Sequence, residues 1–149
     1  METKSFFPFL RTILFDYCVD QNYIKDPKQI VDVRGKSFEE DVNHQDCIRI
    51  MLQKAGQITM SVMNNDKKAT KWRHFTYDMK YSGENAFNKL NDILSKLENK
   101  FETERKLATQ KIVIVKIDDI QNVSVVFDGS FYEQANVEIT FLWQDETQL

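Results

Sequence analysis

Glycine and proline are scarce in this chain, which has only 4 glycines and 2 prolines among 149 residues. Flexible linkers and low-complexity segments are rich in these residues, so the composition excludes both. Long apolar runs are also missing, because no stretch approaches the ~18 residues that a membrane-spanning helix needs. The N-terminal stretch has an apolar middle, but its charges and Pro8 favour an amphipathic helix over a signal peptide. We therefore expect a soluble, cytoplasmic protein without membrane association.

Motifs for catalysis or cofactor binding are absent as well. The histidines, His44 and His74, lie 30 residues apart and belong to no ligand-spaced group such as CxxC, so no metal site is predicted. There is no GxSxG motif, and the 4 glycines stand too far apart for a phosphate-binding loop. Cys18 and Cys47 lie in apolar stretches, which predicts two buried free thiols. We therefore expect no cofactor and no enzymatic activity.

The remaining composition, 42% hydrophobic and 29% charged, is that of a globular protein. A chain of this length buries roughly 70% of its unfolded surface, which supports a core without disulfides. We expect one domain over residues 1–149.

Two segments have the three-to-four-residue period of an amphipathic helix. The first extends over residues 8–20, and Pro8 suits the first turn of a helix. The second extends over residues 82–101, with Ser82 as its N-cap and Glu84 in its first turn. The apolar stripe of the second helix consists of Ala86, Phe87, Leu90, Ile93, Leu94, Leu97 and Phe101.

Alternating or continuous apolar runs predict strands elsewhere. The segments are QIVDV, CIRIMLQ, GQITMSVMNND, HFTYDMKY, IVIVKI, VSVVF and NVEITFLW, of which CIRIMLQ could also form a short helix. In HFTYDMKY the residues Phe75, Tyr77, Met79 and Tyr81 share one face, as in a half-buried strand. Asp128 and Gly129 mark a turn after VSVVF. The order of helix, strands, helix and strands predicts an α+β domain, a mostly antiparallel sheet with both helices packed on one face.

Charge is unevenly distributed along the chain. From Asp118 to the end there is no lysine or arginine, and the acidic residues are Asp118, Asp119, Asp128, Glu133, Glu138, Asp145 and Glu146. A basic segment precedes the strand HFTYDMKY and contains Lys67, Lys68, Lys71 and Arg73, with Trp72 among them. Both segments could be ordinary solvated surface. Alternatively, the basic segment could dock on an acidic neighbour in a head-to-tail assembly.

Cations around an aromatic residue also occur in proteins that bind single-stranded nucleic acid. The net charge of −3 and the absence of a basic stripe on either helix argue against that function. Trp72 is out of phase with Phe75, so we expect it to face outward, and Trp143 near the end of the last strand could do the same. Either indole could equally be a partly covered surface residue.

The second half of the chain resembles the neck and tail-terminator proteins of tailed bacteriophages. In that family a strand ends in a polar turn, a helix follows, and a later hairpin closes the domain. The resemblance covers about residues 57–144. Its last motif reads here as Glu133, Gln134, Ala135, Val137, Glu138, Ile139 and Phe141. Gln134 stands where that family often has a basic residue, and the chain lacks the proline-rich approach to the first strand that many members show.

The resemblance implies a structural virion protein, assembled in the host cytoplasm into a ring, commonly a hexamer, at the head–tail junction. The partners would be further copies of the chain, the connector or adaptor and the tail-tube protein, and DNA would pass through the lumen without specific binding. The candidate contact residues are Lys67, Lys68, Lys71, Trp72, Arg73 and Trp143. The candidate acidic residues facing the channel are Asp118, Asp119, Asp128, Glu133 and Glu138. The alternatives are another virion protein, for head completion or the tail tube, and a small cytosolic protein-binding module without catalytic activity.

Overall fold

A computed structural model describes residues 3–33, 46–63, 68–98 and 103–148 of the chain. Within these ranges three α-helices accompany one large sheet and one separate two-stranded sheet. In chain order the elements are α1 (Thr3–Asp20), β1 (Ile30–Asp32), β2 (Cys47–Met63), β3 (Lys68–Ser82), α2 (Ala86–Leu97), α3 (Thr103–Thr109), β4 (Ile112–Ile117), β5 (Gln121–Asn122), β6 (Val125–Phe127), β7 (Ser130–Tyr132) and β8 (Gln134–Gln148).

The large sheet has the strand order β1-β2-β3-β8-β4, and β5 pairs with the first residues of β8. β1 runs parallel to β2, and every other pairing is antiparallel. The predicted α+β class with a mostly antiparallel sheet is therefore confirmed. The predicted strands CIRIMLQ and GQITMSVM are one continuous strand, β2, which carries register shifts at Leu52/Lys54 and Ile58/Ser61.

One face of the sheet, here called the inner face, carries the core. The predicted stripe of Phe75, Tyr77, Met79 and Tyr81 is buried there, and it lies beside the buried residues Val137, Ile139, Phe141 and Trp143 of β8. α1 packs on this face through Phe6, whose ring centroid is 4.8 Å from that of Phe141. α2 contributes Leu90, Ile93, Leu94 and Leu97 to the same core. Both predicted helices therefore lie on one face of the sheet.

On the opposite face of the sheet, here called the outer face, some side chains of β3 are buried, although the alternating pattern predicted that they would be exposed. Thr76 and Lys80 of β3 are buried, whereas His74 and Asp78 are partly exposed. The hydroxyl oxygens of Thr76 and Thr140 lie 3.1 Å apart, a hydrogen bond across β3 and β8. The centre of β3 is therefore covered on both faces.

The helix boundaries differ from those predicted. α1 begins at Thr3 and contains Pro8. The burial of Phe6 and Phe7 stabilises the first turns and offsets the one backbone hydrogen bond that the proline removes. α3 is an additional helix in a segment for which no helix was predicted, and its buried Leu107 belongs to the core. Phe101, the predicted end of the second helix, lies outside the described residues.

The start of α2 is also different, because Ser82 is the last residue of β3 and not an N-cap. The N-cap is Asn85, whose φ is 56° and whose side chain makes no capping hydrogen bond. The backbone amide of Asn85 instead donates to the carboxylate of Glu133, at 2.5 Å. Phe87, predicted to belong to the apolar stripe, is 46% exposed.

Candidate interaction surfaces

The basic segment forms the first part of β3. Lys67 lies outside the described residues, whereas Lys68, Lys71, Trp72 and Arg73 belong to the strand. In the ladder with β8, Lys71 stands opposite Asp145 and Thr70 opposite Glu146. The last two acidic residues therefore share a stretch of the ladder with the basic segment.

The two tryptophans have different environments. Trp72 is three residues from buried Phe75 on a continuous strand, so it lies on the outer face, where it is partly exposed. Trp143 is only 6% exposed, and its ring stacks on Phe75 with centroids 5.8 Å apart. The prediction that Trp143 faces outward is wrong, because it continues the inner-face alternation of Ile139 and Phe141.

Three of the five candidate acidic residues surround one pocket of about 360 Å³, here called the acidic pocket. Asp118, Asp119 and Glu138 line it together with Gln121, Asn136 and Val137. The Nζ atom of Lys116 lies 3.0 Å from the Asp118 carboxylate, and this hydrogen bond raises the pKa of Lys116. The sequence supplied the acidic residues of this pocket, but only the pairing of β5 and β8 explains why they converge.

The other two candidate acidic residues do not line the pocket. Glu133 is partly exposed and accepts the hydrogen bond from the Asn85 amide at the start of α2. Asp128 is exposed in the predicted turn with Gly129, and both residues have positive φ angles of 50° and 78°. This is the conformation that a two-residue hairpin turn requires.

That turn joins β6 and β7 into a separate hairpin, residues 125–132, here called the arm. Val126 stands directly opposite Phe131 in the arm, and these side chains are 72% and 63% exposed. At the base, the amide of Val123 donates to the carbonyl of Gln134 at 2.9 Å, and the amide of Gln134 donates to Ser124 Oγ at 3.1 Å. Hydrogen bonds thus hold the base of the arm, whereas its apolar side chains are exposed to solvent.

Sequence reasoning did not single out the arm as a contact surface. Asp128 and Gly129 predicted the turn, but VSVVF was predicted only as a strand. The signal that could have identified it is the brevity of the strands on both sides of the Asp128–Gly129 turn, since isolated two-stranded hairpins are marginally stable.

A polar cluster lies where α2 meets the start of β2. Lys89 Nζ and the Tyr81 hydroxyl both donate to Asp46 Oδ2, at 2.6 and 2.5 Å. The Tyr23 hydroxyl donates to Asp92 at 2.9 Å, and Lys89 Nζ lies 5.4 Å from the centre of the Tyr23 ring. Burial, followed by the bond to Asp46, raises the pKa of Tyr81. Tyr81 thus joins β3 to the residue that precedes β2.

The cysteines have no features of nucleophiles. Both are buried and free, as predicted. Burial, reinforced by the nearby carboxylate of Asp46, raises the pKa of the Cys18 thiol to about 12. A reactive cysteine needs the opposite shift.

Within the described ranges, no group of three or more histidine, cysteine or acidic side chains could hold a metal ion. His44 lies outside those ranges, and partly exposed His74 stands opposite Gly56 in the ladder with β2. None of the helices in the described part of the chain has both the length and the hydropathy needed to cross a lipid bilayer.

Compared with models of known protein families and with curated proteins, the sequence matches neither.

Proposed function

We propose that this chain is a non-enzymatic structural subunit of a tailed-phage virion, a neck or tail-terminator protein that forms a homo-oligomeric ring. The ring, commonly of six copies, would join the tail tube to the head connector, and DNA would pass through its lumen. The observation that carries the proposal is the arm, whose apolar residues Val126 and Phe131 are exposed although the rest of the described chain has a hydrophobic core of its own. Exposed apolar surface of this kind is typical of sites that contact another protein.

The acidic pocket supports the second part of the proposal. A DNA conduit should not hold the polyanion, and carboxylates repel phosphates. Asp118, Asp119 and Glu138 gather three acidic side chains at one place, with Lys116 as the neighbouring cation. If the acidic pocket faces the lumen of the ring, its carboxylates would repel the DNA phosphates and so allow the DNA to pass.

The first test is the assembly state, measured by sedimentation and native mass spectrometry over a wide range of protein concentration. Negative-stain microscopy of the same samples then shows whether the particles are closed rings. We expect a ring-sized species with a central opening, formed at high concentration or on addition of connector or tail-tube protein. A chain that stays monomeric under all these conditions would contradict the proposal and favour a cytosolic binding module.

A second test addresses the lumen. Replacing Asp118, Asp119 and Glu138 by lysine should make the assembled ring retain duplex DNA in a gel-shift assay at low salt. The matched control replaces three exposed acidic residues outside the pocket, Asp16, Asp20 and Glu98, by lysine and should not cause retention. Equal retention by both variants, or by the unaltered chain, would argue against an acidic channel wall.

A further inference from the structure

We propose that the arm of one copy docks on the outer face of a second copy, at a patch formed by Trp72, Val113 and Leu142. This patch is here called the receiving patch. The inference rests on the proposed ring function and deepens it, because it names the contact between neighbouring subunits.

The arm has the properties of an inserted element. Its apolar residues, Val126 and Phe131, share one face because they are directly opposite each other in the two-stranded ladder. A Cβ added at Gly129 would meet no atom within 4 Å, so the tip stands in open space. The positive φ angles of Asp128 and Gly129 fix the turn, and the bonds at Gln134 fix the base. Such an arm loses little conformational freedom on docking.

The receiving patch follows from the strand register on the outer face. Val113 of β4 stands opposite Leu142 of β8, and Leu142 stands opposite His74 of β3. Trp72 stands opposite Gln144, which makes it the diagonal neighbour of Leu142. Val113 is 52% exposed, and both Leu142 and Trp72 are partly exposed. Together they form an apolar surface across three strands.

The charges around the two surfaces are complementary. The arm carries Asp128 at its tip, and no lysine or arginine occurs between Asp118 and the end of the chain. The receiving patch lies beside exposed Lys111, two residues before Val113. Asp145 and Glu146, at the far end of β8, stand opposite Lys71 and Thr70, within the basic segment. The arm therefore carries one negative charge, on Asp128, and the receiving patch has one positive charge, on Lys111, at its border.

The face of β4 suits this contact better than its edge does. β4 has a register shift between Ile114 and Lys116, and Lys116 is exposed. A bulge and a lysine on an outer strand both oppose the addition of another strand. The exposed side chains of β4 remain available to a partner that approaches from the outer face.

In the proposed ring this contact is head-to-tail, because it joins two different surfaces of the chain. The base of the arm is fixed at Gln134, and the patch is centred on Leu142, eight residues further along β8. At ~3.4 Å per residue these points lie roughly 27 Å apart, so the surfaces do not coincide. A contact between two different surfaces repeats from copy to copy and closes into a ring when the rotation allows.

The test is disulfide trapping in the full chain at high protein concentration. Cys18 and Cys47 are buried, so they contribute little background. A chain carrying both Phe131→Cys and Val113→Cys should give a ladder of cross-linked oligomers on mild oxidation, whereas each single variant should give none. The matched control pairs Phe131→Cys with Val31→Cys, because Val31 is similarly exposed at the opposite edge of the sheet. The control should give no ladder.

A second measurement uses charge. Phe131→Asp and Val113→Asp should each weaken self-association at least ten-fold while the melting temperature stays unchanged. When the two variants are mixed, they should form a heterodimer and no larger species. The Val113→Asp variant keeps an intact arm and the Phe131→Asp variant keeps an intact receiving patch, so only one contact can form. Cross-linking by Phe131→Cys alone would overturn the inference in favour of an arm-to-arm contact. Rings that form normally with Phe131→Asp would overturn it and leave the proposed function standing, whereas no self-association of the unaltered chain, with or without virion proteins, would overturn both.

Discussion

The Nζ atom of Lys89 in α2 lies 2.6 Å from Oδ2 of Asp46, the residue immediately before β2. Lys89 and Asp46 have side-chain exposures of 21% and 18%. The Asp46 carbonyl also accepts a hydrogen bond from Gln29 Nε2 at 2.7 Å. Asp46 thus joins α2, the sheet and the segment before β1.

Lys89→Met should therefore lower the free energy of unfolding by about 1–3 kcal/mol, because the partly buried Asp46 carboxylate loses a charge-assisted hydrogen bond. Urea denaturation measures the change. Lys106→Met, at an exposed position of α3, is the matched control and should change stability by no more than about 0.5 kcal/mol. Equal effects of the two variants would show that the contact with Asp46 does not stabilise the fold.

Leu94→Ala should lower the free energy of unfolding by about 2–5 kcal/mol, because Leu94 is 5% exposed and its removal leaves a cavity between α2 and the sheet. Phe87→Ala in the same helix removes a larger side chain that is 46% exposed, and should cost less than about 1 kcal/mol. Thermal melting of both variants gives the comparison. A larger loss for Phe87→Ala would mean that the buried side of α2 has been assigned wrongly.

Gly83→Ala should destabilise the protein by about 1–3 kcal/mol. Its φ angle is +144°, and an added Cβ would lie 2.3 Å from Oδ1 of Asp46. Gly129→Ala is the control, because its φ is also positive, at +78°, but its Cβ would meet nothing within 4 Å. We expect a smaller loss, about 1 kcal/mol, for the control. Chemical denaturation of both variants separates the effect of backbone strain from that of the clash with Asp46. Equal losses of stability would show that the clash contributes nothing.

The stability of the protein should fall in alkaline solution. Burial, and then the charge of Asp46, raises the pKa of the Cys18 thiol from 9.0 to about 12. A raised pKa means that folding favours the protonated thiol, so this stabilising contribution is complete below pH 9 and is lost as the pH rises through about 12. Tyr23 and Tyr81 are shifted in the same direction, chiefly by burial.

The free energy of unfolding should therefore decrease from pH 9 to pH 12, the interval between the two pKa values of Cys18. Cys18→Ala should show a shallower decrease than the unaltered chain, after both are normalised to their values at pH 7. Val19→Ala, which removes no titrating group from an exposed position of α1, is the control, and its slope should match that of the unaltered chain. Superimposable curves for all three proteins would argue against a protonated Cys18 as a source of the pH dependence.

Much of the fold was predictable because periodicity reports burial directly. The alternation of Phe75, Tyr77, Met79 and Tyr81 identified the inner face of β3, and the spacing of Leu90, Ile93, Leu94 and Leu97 identified the buried side of α2. The same reasoning placed Phe87 in the core incorrectly, since a residue at the margin of an apolar stripe is covered only if a neighbour reaches it. Ser82 was misread because a serine before a helix has the same local pattern whether it caps the helix or ends a strand.

The candidate surfaces were predictable only in part. Asp118, Asp119 and Glu138 were recognised as acidic, but their convergence on one pocket needs the path of the chain through β5. The arm was missed because Val126 and Phe131 are apolar, and composition cannot distinguish an apolar side chain in a core from one on a projecting hairpin. Asp145 and Glu146 were grouped with the acidic half, whereas the ladder sets them against Thr70 and Lys71.

The amino-acid sequence alone determined the class of the fold and the side of each long element that is buried, since both follow from repeats of two and of three to four residues along the chain. Only the tertiary structure decided which charges meet, which tryptophan is covered and which apolar residues stay in solvent. These properties depend on distances between segments far apart in the chain, and strand register and helix docking fix those distances.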